Sequence, residues 1–263
     1  MTGDDHVLAR DLAGLAGERL LALRARGGEA DVLRKAGDRL SHEFLTAELA
    51  ARRPGDVVLS EEAADNPVRL TARRVWIVDP LDGTREFGEP GRTDWAVHVA
   101  LWERGDASDA GDLTAGAVAL PAQGQVLSTL DPRAGGPGGE AAGEPGTAPG
   151  TIRIVVSRSR PPQFVRNISG LIDAELVPLG SAGAKVAAVI NGEVDAYVHG
   201  GGFYEWDTAA PVAVARAAGL HASRIDGSAL AYNQADLLMP DILVCRPALA
   251  GPLLRAIREV KET

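Results

Sequence analysis

Residues 75–87 read VWIVDPLDGTREF, and no other stretch of the chain restricts its folding as tightly. Val75 to Val78 is an unbroken apolar run of strand length, and Asp79 follows it without an intervening turn. The run predicts a buried strand. A second carboxylate, Asp82, comes three positions later, and Gly83-Thr84 closes the segment. Two charges at the end of a buried strand need compensation, because an unpaired carboxylate taken out of water costs several kcal/mol. The strand reads as a rigid post, and the Pro80-Leu81 step turns Asp82 and the Leu81 carbonyl toward the region that Asp79 already faces.

Three further places set acidic groups at the end of an apolar run or the start of a predicted helix: Asp38, Glu61-Glu62 and Asp207. If they converge with Asp79 and Asp82, four or five negative charges share a cleft, which only bound cations make tolerable. Oxygen-only ligands select Mg²⁺, with Mn²⁺ able to substitute, over zinc. The five histidines are scattered without metal-ligand spacing. Two or three hard cations suit the attack of water on a phosphate monoester. In that chemistry Gly83 lets the backbone approach a phosphate, Thr84 offers a hydroxyl to hold the water, and Asp38 accepts from it. Each piece alone has a plainer reading: DPLDGT as a tight turn, Glu61-Glu62 as a solvated loop, Asp207 as a helix cap. Their conjunction points to a metal site. The D-x-D-G-T pattern of haloacid-dehalogenase-type phosphatases does not apply, since two residues separate the aspartates and Pro80 stands where the nucleophile would be.

Charge narrows the partners. Lysine and arginine total 27 against 36 acidic residues, a net charge of -9, and no basic cluster lines a predicted helix face. This argues against a nucleic-acid polymer and against a membrane surface, while a small anionic substrate stays compatible if cations reverse the local sign. No apolar stretch is long enough to span a bilayer, and MTGDDHVLAR is acidic rather than a basic leader, so a cytoplasmic location is expected. Cys245 is the only cysteine and excludes an internal disulfide.

The patterning predicts helices over residues 4–26, with Leu8, Leu12, Leu15 and Leu23 on one side, and from about Asp38 to just before Pro54. Strands are predicted at 57–59 and 75–78, then an antiparallel meander over 95–102, 116–120 and 125–130. Residues 1–133 form an N-terminal α+β half carrying most candidate ligands. Residues 134–150 read as a Gly/Pro-rich loop. Residues 151–263 read as a C-terminal α/β half with strands at 152–156, 194–198 and 242–245 and helices at 182–191, 207–218 and from 248.

In order, Glu61-Glu62, Asp79-Pro80-Leu81-Asp82-Gly83-Thr84 and Trp206-Asp207 resemble the motifs of the lithium-sensitive, magnesium-dependent phosphatases, the superfamily of inositol monophosphatase, fructose-1,6-bisphosphatase and the bisphosphate nucleotidases. The resemblance runs over nearly the whole chain. It implies an α/β and α+β fold, a layered αβαβα sandwich with the metal site between its halves. It implies that Glu61, Asp79, Asp82, Asp207 and the Leu81 carbonyl hold two or three Mg²⁺ ions, and that Asp38, Thr84 and Glu61 serve catalysis. Lys35 stands where a threonine is common.

Two segments, Val156-Ser157-Arg158-Ser159-Arg160 and Gly180-Ser181-Ala182-Gly183-Ala184-Lys185, are similar to segments of CysQ-type 3'(2'),5'-bisphosphate nucleotidases, with Arg160 replacing a histidine. The likeness implies substrate contacts from Gly83, Thr84, Ser157, Arg158, Ser159, Gly180, Ser181, Lys185 and Asp207, with Arg158 and Lys185 pairing a second phosphate. The plainer alternative is an exposed strand-end arginine and an ordinary helix lysine. Gly200 stands where inositol-specific members place an acid, which disfavours a polyol leaving group. The activity implied is removal of the 3'-phosphate from 3'-phosphoadenosine 5'-phosphate to give AMP, and action on its sulfated relative in sulfur assimilation. Alternatives are hydrolysis of inositol 1-phosphate or fructose-1,6-bisphosphate, and a noncatalytic metal-dependent sensor of phosphorylated ligands. A homodimer is compatible with the resemblance, which also implies lithium inhibition.

Overall fold

The computed structural model describes residues 2–105, 111–132, 151–159 and 161–262. The Gly/Pro-rich segment 134–150 and Arg160 lie outside the described residues.

Helices α1 (Thr2–Ala25) and α2 (Ala30–Arg52) form an outer layer over a five-stranded sheet. Its strands, in spatial and chain order, are β1 (Val57–Ser60), β2 (Arg74–Asp82), β3 (Ala96–Glu103), β4 (Asp112–Leu120) and β5 (Gln125–Ser128). β1 runs parallel to β2, β2 pairs antiparallel with β3, and β3, β4 and β5 form the expected antiparallel meander. A short helix α3 (Thr84–Gly88) follows β2. α1 seats on the sheet through Leu8, Ala9, Leu12, Ala13, Ala16 and Leu20. Leu15, assigned by its spacing to the buried side, is 40% exposed. Alanines share the inward stripe instead and let the helix lie close to the strands.

The second half contributes β6 (Ile152–Ser157), α4 (Gln163–Leu171), β7 (Ala174–Leu179), α5 (Ala182–Ile190), β8 (Ala196–His199), β9 (Phe203–Tyr204), α6 (Glu205–Ala217), β10 (His221–Ser223), β11 (Leu238–Met239), β12 (Ile242–Cys245) and α7 (Pro247–Glu262). Its main sheet has the order β10-β12-β8-β6-β7, and β9 pairs with β11 as a separate ribbon. α5 and α6 fill the space between the two sheets, while α4 and α7 cover the far face of the second. The layers are therefore αβαβα. The middle layer is rich in small residues, among them Ala184, Ala187, Ala188, Ala209 and Ala210. Gly116 of β4 lies against it, where an added Cβ would come within 2.9 Å of the Ala213 Cβ. No helix among the described residues is long and apolar enough to cross a membrane.

Two local departures from the sequence reading bear on the site. β2 does not stop at Val78 but continues to Asp82, with a register shift against β3 between Asp79 and Asp82. Pro80 has no N–H for the ladder, so the strand bulges there and carries both carboxylates forward. α2 begins at Ala30, which places Asp38 in its third turn rather than at its start. Nothing after Gly28 breaks the helix, and Leu33, Gly37, Ser41, Leu45 and Leu49 form one buried row at four-residue spacing.

Gly37, next to Asp38, is the contact point between α2 and the end of β2. An added Cβ would lie 2.8 Å from Phe87 Cε1 and 2.9 Å from Leu81 Cδ2, both on buried side chains that cannot swing away. Valine would improve helix propensity by under ~1 kcal/mol, whereas overpacking costs about 1–3 kcal/mol, so the clash wins. Gly37→Val is expected to lower stability by about 1–3 kcal/mol in a urea titration. An unchanged midpoint would mean that the seam is looser than described.

Candidate metal centre

Asp79 and Asp82 from β2 and Asp207 from the first turn of α6 each place one carboxylate oxygen within 4.8 Å of the other two. Asp79 and Asp82 are buried. Each of the three is held by backbone donors close to or across the chain. Asp79 Oδ1 accepts the Leu81 N–H at 3.0 Å, closing the Pro80 turn on itself. Asp82 accepts from the first turn of α5, Ala182 N–H to Oδ1 at 3.3 Å and Gly183 N–H to Oδ2 at 2.6 Å. Asp207 Oδ2 accepts the Tyr204 N–H at 2.6 Å, so the residue that looked like a helix cap does cap α6, from inside the helix rather than ahead of it. Glu61 follows β1 on the open side of the cluster, and its carboxyl group hydrogen-bonds that of Asp79.

The electrostatics match this crowding. Burial, then the charges of Glu61, Asp82 and Asp207, push the Asp79 carboxyl well above the usual carboxylate range. Glu61 is raised to about 7 by burial and then by Asp207. Burial and then Asp82 raise Asp207 to about 6. Asp82 is the exception: burial opposes its charge, but His98, the Gly183 N–H and Lys185 together hold it below the ordinary value. Carboxyl groups that keep protons near neutrality for want of positive charge, with oxygen as the whole donor set, fit a hard divalent cation.

Beside the cluster, Thr84 Oγ1 lies 3.0 Å from the Leu81 carbonyl and 3.3 Å from Asp38 Oδ1. The Leu81 carbonyl thus faces this pair, at the bulge between the two β2 carboxylates. Burial, then Glu62, raise Asp38 to about 6, partly offset by the Thr84 hydrogen bond. The helix-start reading of Asp38 fails, yet its partnership with Thr84 across 46 residues is present.

Of the residues assigned to substrate, Gly83, Gly180, Ser181 and Lys185 stand at the same edge. Gly83 has a φ of 83°, and an added Cβ would meet Ser181 Cβ at 2.9 Å, so its glycine character serves the approach of α5. Ser181 caps α5, accepting the Ala184 N–H at 2.9 Å. Asp94 fastens this turn twice: its side chain accepts the Gly180 N–H at 2.6 Å and its carbonyl the Ser181 N–H at 3.1 Å. Arg158, at the end of β6, is paired with Glu86 at 2.8 Å and Glu89 at 3.0 Å. Ser157 closes β6, and Ser159 is exposed beyond it. The Lys185 ammonium is buried, donates to the Gly180 carbonyl, and burial lowers its pKa despite Asp82, Glu86 and Asp207 nearby. The plain alternative of an ordinary solvated helix lysine is thereby set aside.

Sequence reasoning missed His98, Asp94 and the Glu86-Glu89 pair. A lone histidine in an apolar strand and an aspartate in a loop carry no spacing signal. Glu86 and Glu89 could have been found as acids one turn beyond Gly83-Thr84.

The chain matches the inositol monophosphatase family over residues 11–262. It belongs to that family. A 3'-phosphoadenosine 5'-phosphate phosphatase of Mycobacterium leprae is 52% identical over 261 residues, covering 97% of this chain and 94% of that protein. The 3'(2'),5'-bisphosphate nucleotidase CysQ of Escherichia coli K12 is 31% identical, covering 84% and 91%. Among solved structures, CysQ from Bacteroides thetaiotaomicron, a bacterial member of the same family, superposes with a TM-score of 0.75 at 27% identity, covering 92% of this chain and 97% of that one.

The raised carboxyl groups have a consequence for stability. Glu61 and Asp207 keep protons up to about 7 and about 6 in the folded, metal-free protein, whereas an unfolded chain loses them near ~4.3 and ~3.9. Between those limits the folded state binds more protons, so stability falls as pH rises. Divalent cations compete with the same protons. In chelator-treated protein Tm is expected to fall from about pH 5 to about pH 8, and the Tm increment on adding Mg²⁺ to grow over that range. Equal increments at both ends, by differential scanning fluorimetry, would contradict the linkage.

Proposed function

We propose that this chain is a Mg²⁺-dependent phosphomonoesterase that hydrolyses the 3'-phosphate of 3'-phosphoadenosine 5'-phosphate, giving AMP and orthophosphate. The observation that carries the reading is the Thr84-Asp38 pair at the edge of four convergent carboxylates. Glu61, Asp79, Asp82, Asp207 and the Leu81 carbonyl would hold the ions, with Mn²⁺ able to substitute. When bound, the ions supply charge withdrawal from the phosphoryl oxygens and lower the pKa of the attacking water.

The chain itself handles the proton. The Thr84 hydroxyl has one hydrogen and two acceptors in reach, the Leu81 carbonyl and Asp38. Its remaining lone pairs can accept from a water, so a proton can pass from that water to Thr84 Oγ1 while the threonine hydrogen moves to Asp38 Oδ1. With a pKa of about 6, Asp38 is ionised at neutral pH yet basic enough to take it. Glu61 adds charge on the same side.

The nucleotide preference rests on the relatives' substrate and on two features of the chain. The two glutamates engage Arg158 through Nη2, its Nε is buried, and Nη1 would be the donor toward a second phosphate. At position 200, where a polyol-binding acid would be needed, an added Cβ would come within 2.5 Å of the Phe164 ring. Gly83, Thr84, Ser157, Ser159, Gly180, Ser181 and Lys185 would supply the remaining substrate contacts, and Asp207 would lie against the leaving group.

Phosphate release with and without Mg²⁺ from 3'-phosphoadenosine 5'-phosphate, inositol 1-phosphate and fructose-1,6-bisphosphate tests the assignment. The nucleotide is expected to have the highest kcat/KM, and turnover to vanish in chelator; preference for inositol 1-phosphate would overturn the nucleotide reading alone. Asp38→Asn is expected to lower kcat by about 10²–10⁴-fold and to erase the rise of kcat through about pH 6. Retention of that rise would move the base elsewhere.

A further inference from the structure

His98 is wholly buried, takes no part in the proton path, and stands on β3 opposite Asp79. Its ring reaches two parts of the site that arrive from different layers. Nδ1 lies 3.1 Å from the Trp206 carbonyl, in the first turn of α6 immediately before Asp207. Nε2 lies 3.1 Å from Asp82 Oδ2, at the end of β2, though off the line of a well-aligned hydrogen bond. A carbonyl and an ionised carboxylate only accept, so a ring nitrogen that carries a hydrogen directs it at its partner.

Gly183 makes the arrangement feasible. A Cβ there would overlap Nε2, and with none present the Gly183 N–H reaches the same Oδ2 at 2.6 Å. Oδ2 is thus held from two directions, by α5 and by the imidazole, while among the described residues Oδ1 accepts the longer Ala182 N–H contact at 3.3 Å. Oδ1 is therefore the freer oxygen to face a cation.

We infer that His98 is a positioning residue for cation binding: through Nε2 it fixes the direction of the Asp82 carboxylate, and through Nδ1 it keeps that carboxylate in register with the α6 turn that bears Asp207. The inference rests on the metal-site reading above. Groups that orient ligating carboxylates typically alter metal affinity by about 10- to 100-fold when removed.

Amide side chains separate the two contacts. In His98→Gln the amide nitrogen falls near the place of Nε2, and in His98→Asn near that of Nδ1. Mn²⁺ binding to metal-stripped protein, followed by electron paramagnetic resonance, gives a readout independent of turnover, and urea titration gives folded stability beside it. His98→Ala and His98→Asn are expected to weaken the tighter Mn²⁺ by about 10- to 100-fold, and His98→Gln, which keeps the Asp82 contact and loses the Trp206 one, to lose clearly less than either. Weakening in all three at unchanged stability gives the same answer, with the imidazole strictly required. His98→Asn binding as wild type, or affinity losses that merely track stability losses, would overturn the inference. If His98→Ala does not fold, the Gln and Asn variants still decide. Absence of Mn²⁺ binding by the wild type would instead overturn the metal-site reading itself.

Discussion

Mutual repulsion among the clustered carboxylates is the constraint that the surrounding structure answers. Oxygens of Asp79, Asp82 and Asp207 lie within 4.8 Å of one another, and two full charges at that limit repel by about 3.5 kcal/mol at an effective dielectric near 20. The fold counters this in part with backbone donors from Leu81, Ala182, Gly183 and Tyr204. The buried Lys185 adds positive charge nearby. These measures leave Asp82 ionised and the others inclined to keep protons. The deficit of positive charge is what a divalent cation would fill, and it concentrates binding energy where a phosphate must also be accommodated.

The layered architecture is how distant segments reach this point. α5 and α6 both begin at the cluster, so their N-terminal amides and macrodipoles face the anions. Their outer surfaces are mostly alanine and valine, which lets them fit between two sheets. Ser181 could not sit against position 83, nor Ala213 against position 116, if those positions carried side chains. Close approach of layers, rather than any single strong bond, brings Asp207 to within reach of residues more than a hundred positions away.

The sequence disclosed the site better than it disclosed the scaffold. Motif spacing singled out Glu61, Asp79, Asp82, Thr84 and Asp207, which the fold does bring together, because residue types in such a motif are restricted locally. The meander and the helices at 182 and 207 were legible because their apolar periods are clean. β7 escaped notice because it is an edge strand with a broken burial pattern, and α4 because its nine residues hold only Val165 and Ile168 buried. β9, β10 and β11 are too short to have a period. His98 and Asp94 were illegible for a different reason: each joins the site through a partner more than 80 positions away, Trp206 and Gly180 respectively, which no local pattern reports.

Asp38 is borne by an outer helix, whereas the clustered acids come from the strand and the central helix. The two are joined through a narrow seam at Gly37, Leu81 and Phe87. On the proposed reading, ion affinity and proton acceptance are therefore carried by different layers. If Asp38 is the proton acceptor proposed, a sideways slip of α2 would slow turnover without disturbing the acids that would hold the ions, so the reaction would depend on how firmly an otherwise peripheral layer is clamped.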